Sequence, residues 1–196
     1  MKQIATALFV VLSPATLMAA DTAPASAWID QSRQLTMQLG SQLKAELGRA
    51  INEGGPVAAI KVCHTRAPEI AAQLSEQSGA RVGRTALRVR NPSNAPDDQQ
   101  RSVLEQFSAE LASGKVEGPL EAVFETRRGD QTERRFMRAI PTEALCLTCH
   151  GKTLAPDVAA AIARDYPGDQ ATGFELGQLR GAFTVTWSAP SPVTNR

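Results

Sequence analysis

The chain has 196 residues, 42% of them hydrophobic, and a formal net charge of +1. That length suits one domain, and that composition excludes both a disordered chain and a membrane-embedded one. Basic residues are scattered rather than gathered into a stripe, which argues against a nucleic-acid partner.

Residues 1–20, MKQIATALFVVLSPATLMAA, place Lys2 ahead of an apolar run from Ile4 to Leu12, followed by small residues. This is the form of a secretory signal peptide, and the run is too short to span a bilayer. Cleavage after Ala20, or as late as Ala27, leaves a soluble exported protein with no further membrane insertion. A single domain is expected over residues 28–188, with a flexible tail at 189–196.

A helix is predicted over residues 28–51, where Leu35, Leu39, Leu43, Leu47 and Ile51 recur every four positions. Gly54 and Gly55 stop it, and Pro56 opens a second helix reaching residue 67. Pro68 should break or kink that helix before a third piece ending at Gly79. Residues 81–90 read as one strand, with Thr85, Leu87 and Val89 alternating with Arg84, Ala86, Arg88 and Arg90. After a Pro- and Asn-rich loop comes a helix over 99–112, then a hairpin of 121–127 against 132–140 that matches Val123 with Phe136. Pro141-Thr142 should open the helix carrying Cys146, with Thr142 as its N-cap. A short helix at 156–165 and a closing strand at 178–187 complete the order. Such a sequence of elements predicts an α+β fold with a mainly antiparallel sheet.

Three cysteines and two histidines carry the distinctive chemistry. An exported chain meets an oxidising compartment, and one simple disulfide would leave an unprotected thiol. Cys146-Leu147-Thr148-Cys149-His150 matches the C-x-x-C-H pattern of covalent haem attachment. Residues three apart share one face of a helical turn, so both thiols can reach the two vinyl groups on one porphyrin edge. His150, next in the chain, then offers an imidazole nitrogen to the iron. Gly151 leaves room beside the ring. A thioredoxin-like pair or a zinc site including Cys63 would use the same cysteines. Zinc is disfavoured because helical neighbours such as Cys149 and His150 point about 100° apart.

For the opposite side of the iron, Cys63, His64, Met37 and Met137 are the available donors. Met37 lies off the leucine stripe, and Met137 alternates away from Phe136 as a core filler. Cys63 and His64 flank the apolar face marked by Val57, Ile60 and Ala67, so helical geometry leaves both open. Ligation would protect an exported thiol from oxidation, and Lys61 and Arg66 nearby would help it ionise. Arg84, Arg88 and Arg90 on one strand face are candidates for binding haem propionates, with Arg138 and Arg180 of similar standing.

The segments VCHTRAPEIA, GRTALRVRNPSNAPD, CLTCHG, YPGDQATG and GQLRGAFTV together resemble a bacterial family of exported c-type haem-binding domains, formerly a domain of unknown function. The resemblance covers residues 28–188. It implies a PAS-like fold: an antiparallel sheet with a long N-terminal helix and flanking helices. It also implies one haem c bound through Cys146 and Cys149, with His150 as one axial ligand and Cys63 as the other. His64 stays open as the alternative. Members of that family occur alone or as the sensory part of membrane signalling proteins. The resulting expectation is a periplasmic monohaem cytochrome, not an enzyme, that transfers single electrons or senses redox state. Its partner would be a redox protein or a membrane signalling protein. The alternatives are a gas or redox sensor acting through a separate partner and, further off, a thiolate-haem enzyme.

Overall fold

The computed structural model describes residues 26–128 and 131–190. The predicted leader at 1–20 lies outside the described residues, as does the predicted tail beyond Pro190.

The two predicted N-terminal helices follow one another across a kink, together labelled α1 (Ala27–Lys61). Gly55 breaks the helical geometry at φ 75° and ψ −177°, a conformation only glycine adopts freely, and Pro56 restarts the helix beyond it. Pro68 does not break the chain as expected. A π-helical turn, Val62–Arg66, precedes α2 (Ala67–Ser78), and the Ala67 N–H donates to the Val62 carbonyl five residues back. The extra residue of that turn lets the missing N–H of Pro68 fall in the first turn of α2, where no partner is required. Gly79, left-handed at φ 73°, ends α2.

Four strands form one antiparallel sheet in the order β1-β4-β3-β2. They are β1 (Arg81–Thr85), β2 (Glu121–Arg128), β3 (Gln131–Pro141) and β4 (Leu179–Pro190). The expected register of Val123 opposite Phe136 is present. β1 is half the length expected from residues 81–90: pairing ends at Thr85 opposite Ala182, and the Ala86 N–H turns away to the Asn94 carbonyl. Gly181 permits this exit, because a Cβ there would lie 2.5 Å from the Thr85 oxygen. β4 runs past its expected end, with Ala189 and Pro190 paired to Thr132 and Gln131.

Helix α3 (Asp98–Ala112) begins in a reciprocal capping box between Asp97 and Gln100. Asp97 also pairs with Arg135 of β3, itself bonded to Glu133, and this ties the helix start to the sheet. The predicted N-cap role of Thr142 is not observed. Its side chain is buried with no hydrogen-bond partner, while its backbone exchanges bonds with Gln178 and Gly177. The short helix α4 (Leu147–His150) instead grows from a 3-10 turn, Ala144–Cys146, that starts at Glu143. Helix α5 (Pro156–Asp165) has the predicted bounds.

The sheet has packing on both faces, as strand alternation requires. On one face Phe136, Val82 and Val185 meet Leu35 and Leu39 of α1 and Ile70 and Leu74 of α2. On the other, Met137 and Ala182 meet Leu104 and Phe107 of α3. Phe136, Leu39 and Leu104 are fully buried, each contributing about 2–3 kcal/mol of apolar burial. The leucine stripe of α1 divides along its length: Leu35 and Leu39 enter this core, whereas Leu47 and Ile51 project past the sheet edge into a cavity. Among the described residues, no helix is long and apolar enough to cross a membrane.

Candidate functional site

The cavity lies where the second half of α1 overhangs the edge of the sheet. Leu43, Leu47 and Ile51 form an apolar wall, and Phe183 and Gly181 of β4 form a second. The third is the segment predicted for attachment chemistry, with Cys146, Cys149 and His150 all lining the space. Phe183 reaches this position because Gly40 of α1 carries no side chain; a Cβ there would sit 3.0 Å from its ring.

The turn holding the two cysteines is built by its own backbone. Gly151 leaves it in an extended conformation, with its N–H donating to Leu147, and a Cβ at this position would lie 2.5 Å from the Leu147 oxygen. The close approach of the chain to itself is thus a need for glycine at this position. The extended segment then binds the strand-like stretch at Phe174, whose N–H donates to the His150 carbonyl at 2.9 Å. His150 Nδ1 is 2.6 Å from the carbonyl oxygen of Ala171. A carbonyl only accepts, so Nδ1 carries the proton and Nε2 keeps its lone pair. Burial, with Arg180 and Arg90 nearby, pushes the imidazolium pKa down to about 2, so the ring is neutral. Burial raises the pKa of the Cys149 thiol. None of the three cysteines is in a disulfide.

Across the cavity the π-helical turn places the two adjacent candidates differently. Cys63 is half-buried and lines the cavity. His64 is exposed, its ring lying 5.3 Å from that of Tyr166 on the outer side. The methionines are elsewhere: Met37 is 54% exposed, and Met137 is buried in the core against α3. Lys61 and Arg66 do not supply the expected charge to Cys63, since Lys61 is exposed and Arg66 pairs with Glu46 and Glu69. Arg84 is the cation that interacts electrostatically with Cys63.

Of the three arginines predicted to share a face, Arg84 and Arg90 line the cavity and Arg88 does not, because the strand that would have aligned them stops at Thr85. Arg84 lines the cavity, where burial lowers its pKa. Arg88 does not line it; the side chain is exposed, donates to the Gln170 carbonyl and sits 4.2 Å over the Phe174 ring. Arg90 is buried at the cavity rim and bonded to Asp169 and to the Cys149 carbonyl. Arg180 lines the cavity, its pKa lowered to about 10 by burial and by Arg90 and Arg84. Among the described residues, neither Arg84 nor Arg180 forms an ion pair. Arg138 lies 3.8 Å from Glu121 instead.

Sequence reasoning assigned no role to Tyr166, Asp169 or Ala171, all within the quoted segment YPGDQATG. Tyr166 lines the cavity, and burial, with Cys63 nearby, raises its pKa to about 12. Among the described residues, no cluster of three or more His, Cys, Asp or Glu is placed to hold a metal ion by itself.

A family model described as Tll0287-like, Tll0287, matches residues 14–188. Among solved structures, the crystal structure of the cyanobacterial heme-protein Tll0287 is similar, at 26% identity and a TM-score of 0.58, covering 87% of this chain and 100% of that one. No curated protein matches the chain.

Proposed function

We propose that this chain, which belongs to the Tll0287-like family, is a periplasmic monohaem c-type cytochrome that transfers single electrons or senses redox state. The observation that carries the reading is the placement of His150. Its ring is locked by Ala171 with Nε2 left as an acceptor, in a cavity that also contains both thiols of the attachment motif. The residues present fit a haem. Cys146 and Cys149 would carry the thioether links, and His150 and Cys63 would hold the iron. Leu43, Leu47, Ile51 and Phe183 would give the macrocycle an apolar surround, while the half-buried cations Arg84 and Arg180 suit its carboxylates.

When bound, the group supplies a one-electron iron couple. The chain's own residues hold it, exclude water with the leucine wall, and keep His150 neutral at any ordinary pH. With both axial positions filled by side chains no site is left for a substrate, so the reading is not enzymatic. One feature favours a sensory variant with a separate signalling partner. Cys63 rides on a π-helical turn, a geometry that accompanies functional sites. The test is covalent retention: wild-type protein from a maturation-competent host keeps its colour through acid-acetone extraction, and the Cys146→Ala, Cys149→Ala double variant does not. A colourless wild type overturns the reading.

A further inference from the structure

Asp169, Arg90 and the CLTCH turn form a closed polar circuit around a single carbonyl oxygen. Arg90 Nε donates to Asp169 Oδ1 at 3.0 Å, and Nη2 donates to Oδ2 at 3.1 Å. The same Nη2 donates to the Cys149 carbonyl at 2.7 Å and to the Ala171 carbonyl at 3.3 Å. Ala171 O is also the acceptor for His150 Nδ1, and the Ala171 N–H donates to Asp169 Oδ1 at 2.9 Å. The carbonyl that orients His150 is thus shared with a guanidinium. Side-chain exposure of only 8% for Arg90 and 9% for Asp169 keeps water from screening the charges.

An acceptor on the far nitrogen of a ligating imidazole gives the ring imidazolate character and makes it a stronger donor to the metal. A cation bonded to that acceptor draws electron density from it and weakens the effect. We propose that Arg90 and Asp169 are a positioning pair that sets how strongly His150 donates to iron, an inference that rests on the haem reading above. The Arg90 charge limits imidazolate character and favours ferrous iron. The Asp169 charge offsets it. A clamp with only a structural role, holding the Cys149 carbonyl, would be loosened by loss of either partner.

The two roles separate by sign. Potentiometric titration and ferric electron-resonance spectra would be recorded on pigmented Arg90→Gln, Arg90→Lys and Asp169→Asn proteins. Arg90→Gln should raise the ferric-to-ferrous ratio at a fixed applied potential about tenfold, equivalent to a downward shift of ~59 mV for one electron. Its ferric signals should move as His150 becomes the stronger donor. Asp169→Asn should shift the potential upward, and Arg90→Lys, which keeps the charge, should stay near wild type. Shifts of the same sign for Arg90→Gln and Asp169→Asn, or no shift in either, overturn the proposal. If Arg90→Gln yields no pigmented protein, an unchanged or lowered potential in Asp169→Asn overturns it alone. Failure of the haem reading itself looks different, since the wild type would then be colourless.

Discussion

His150 and Ala171, 21 positions apart, are joined by a 2.6 Å hydrogen bond that determines which nitrogen of the imidazole faces the cavity. The same burial that makes this tautomer useful makes protonation costly.

A pH dependence follows. The folded imidazole has its pKa lowered from 6.5 to about 2. Between those values the unfolded chain binds a proton that the folded chain does not, so stability is full above 6.5 and declines as pH falls toward 2. In the cofactor-free chain the decline from this one group approaches about 1.4 kcal/mol per pH unit. Urea unfolding of wild type and His150→Gln over pH 4–7 should differ in slope by about that amount. Parallel slopes would mean that His150 is solvated in solution.

Cys63 and His64 are adjacent in sequence, yet only Cys63 lines the cavity. Replacing Cys63 by alanine should abolish the thiolate signature of the ferric spectrum and raise the midpoint potential, because a thiolate stabilises ferric iron. His64→Ala should change neither measurement. A spectrum altered by His64→Ala and indifferent to Cys63→Ala would establish the bis-histidine arrangement.

These two residues also mark how far the sequence could be read. Local signals such as the CxxCH spacing, the Val123–Phe136 register and the Gly79 stop depend on neighbours within a few positions, and each is visible in the chain. The choice between Cys63 and His64 depends on one extra residue of helical winding, a π-helical turn that no period in the apolar pattern announces. The position of Arg88, outside the cavity, escapes the sequence pattern for a related reason. Period-two alternation continues through residue 90, while the ladder stops at Thr85, where the Ala86 N–H turns away to the Asn94 carbonyl over the space left by Gly181. Asp169 and Ala171 carried no recognisable signal, since their roles arise from contacts with Arg90 and His150 across the fold.

The divided leucine stripe predicts divided consequences. Leu39 is fully buried in protein, so Leu39→Ala should cost about 2–5 kcal/mol of chain stability. Leu47 lines the cavity, and its truncation should cost the cofactor-free chain well under half of that while admitting water beside the bound group. Denaturation of both variants, with and without the cofactor, measures the contrast. Equal losses in the cofactor-free chain would place Leu47 in the protein core.

Gly151 makes the sharpest demand of any position in the turn. Its φ of −70° is open to any residue, so backbone preference does not require glycine. The constraint is steric: a methyl group would sit 2.5 Å from the Leu147 oxygen, which is backbone and has no rotamer to yield. Gly151→Ala must therefore displace the chain next to His150, at a cost of about 1–3 kcal/mol by the usual scale of overpacking. The displacement also strains the His150–Ala171 bond, so covalent pigment yield and the ferric spectrum should both change. Gly168, which has open space around it and an ordinary backbone, is the control: Gly168→Ala should stay within about 0.5 kcal/mol of wild type. Comparable stability in the two variants would mean that the turn relaxes, and that the close approach at Leu147 is not what holds the histidine in place.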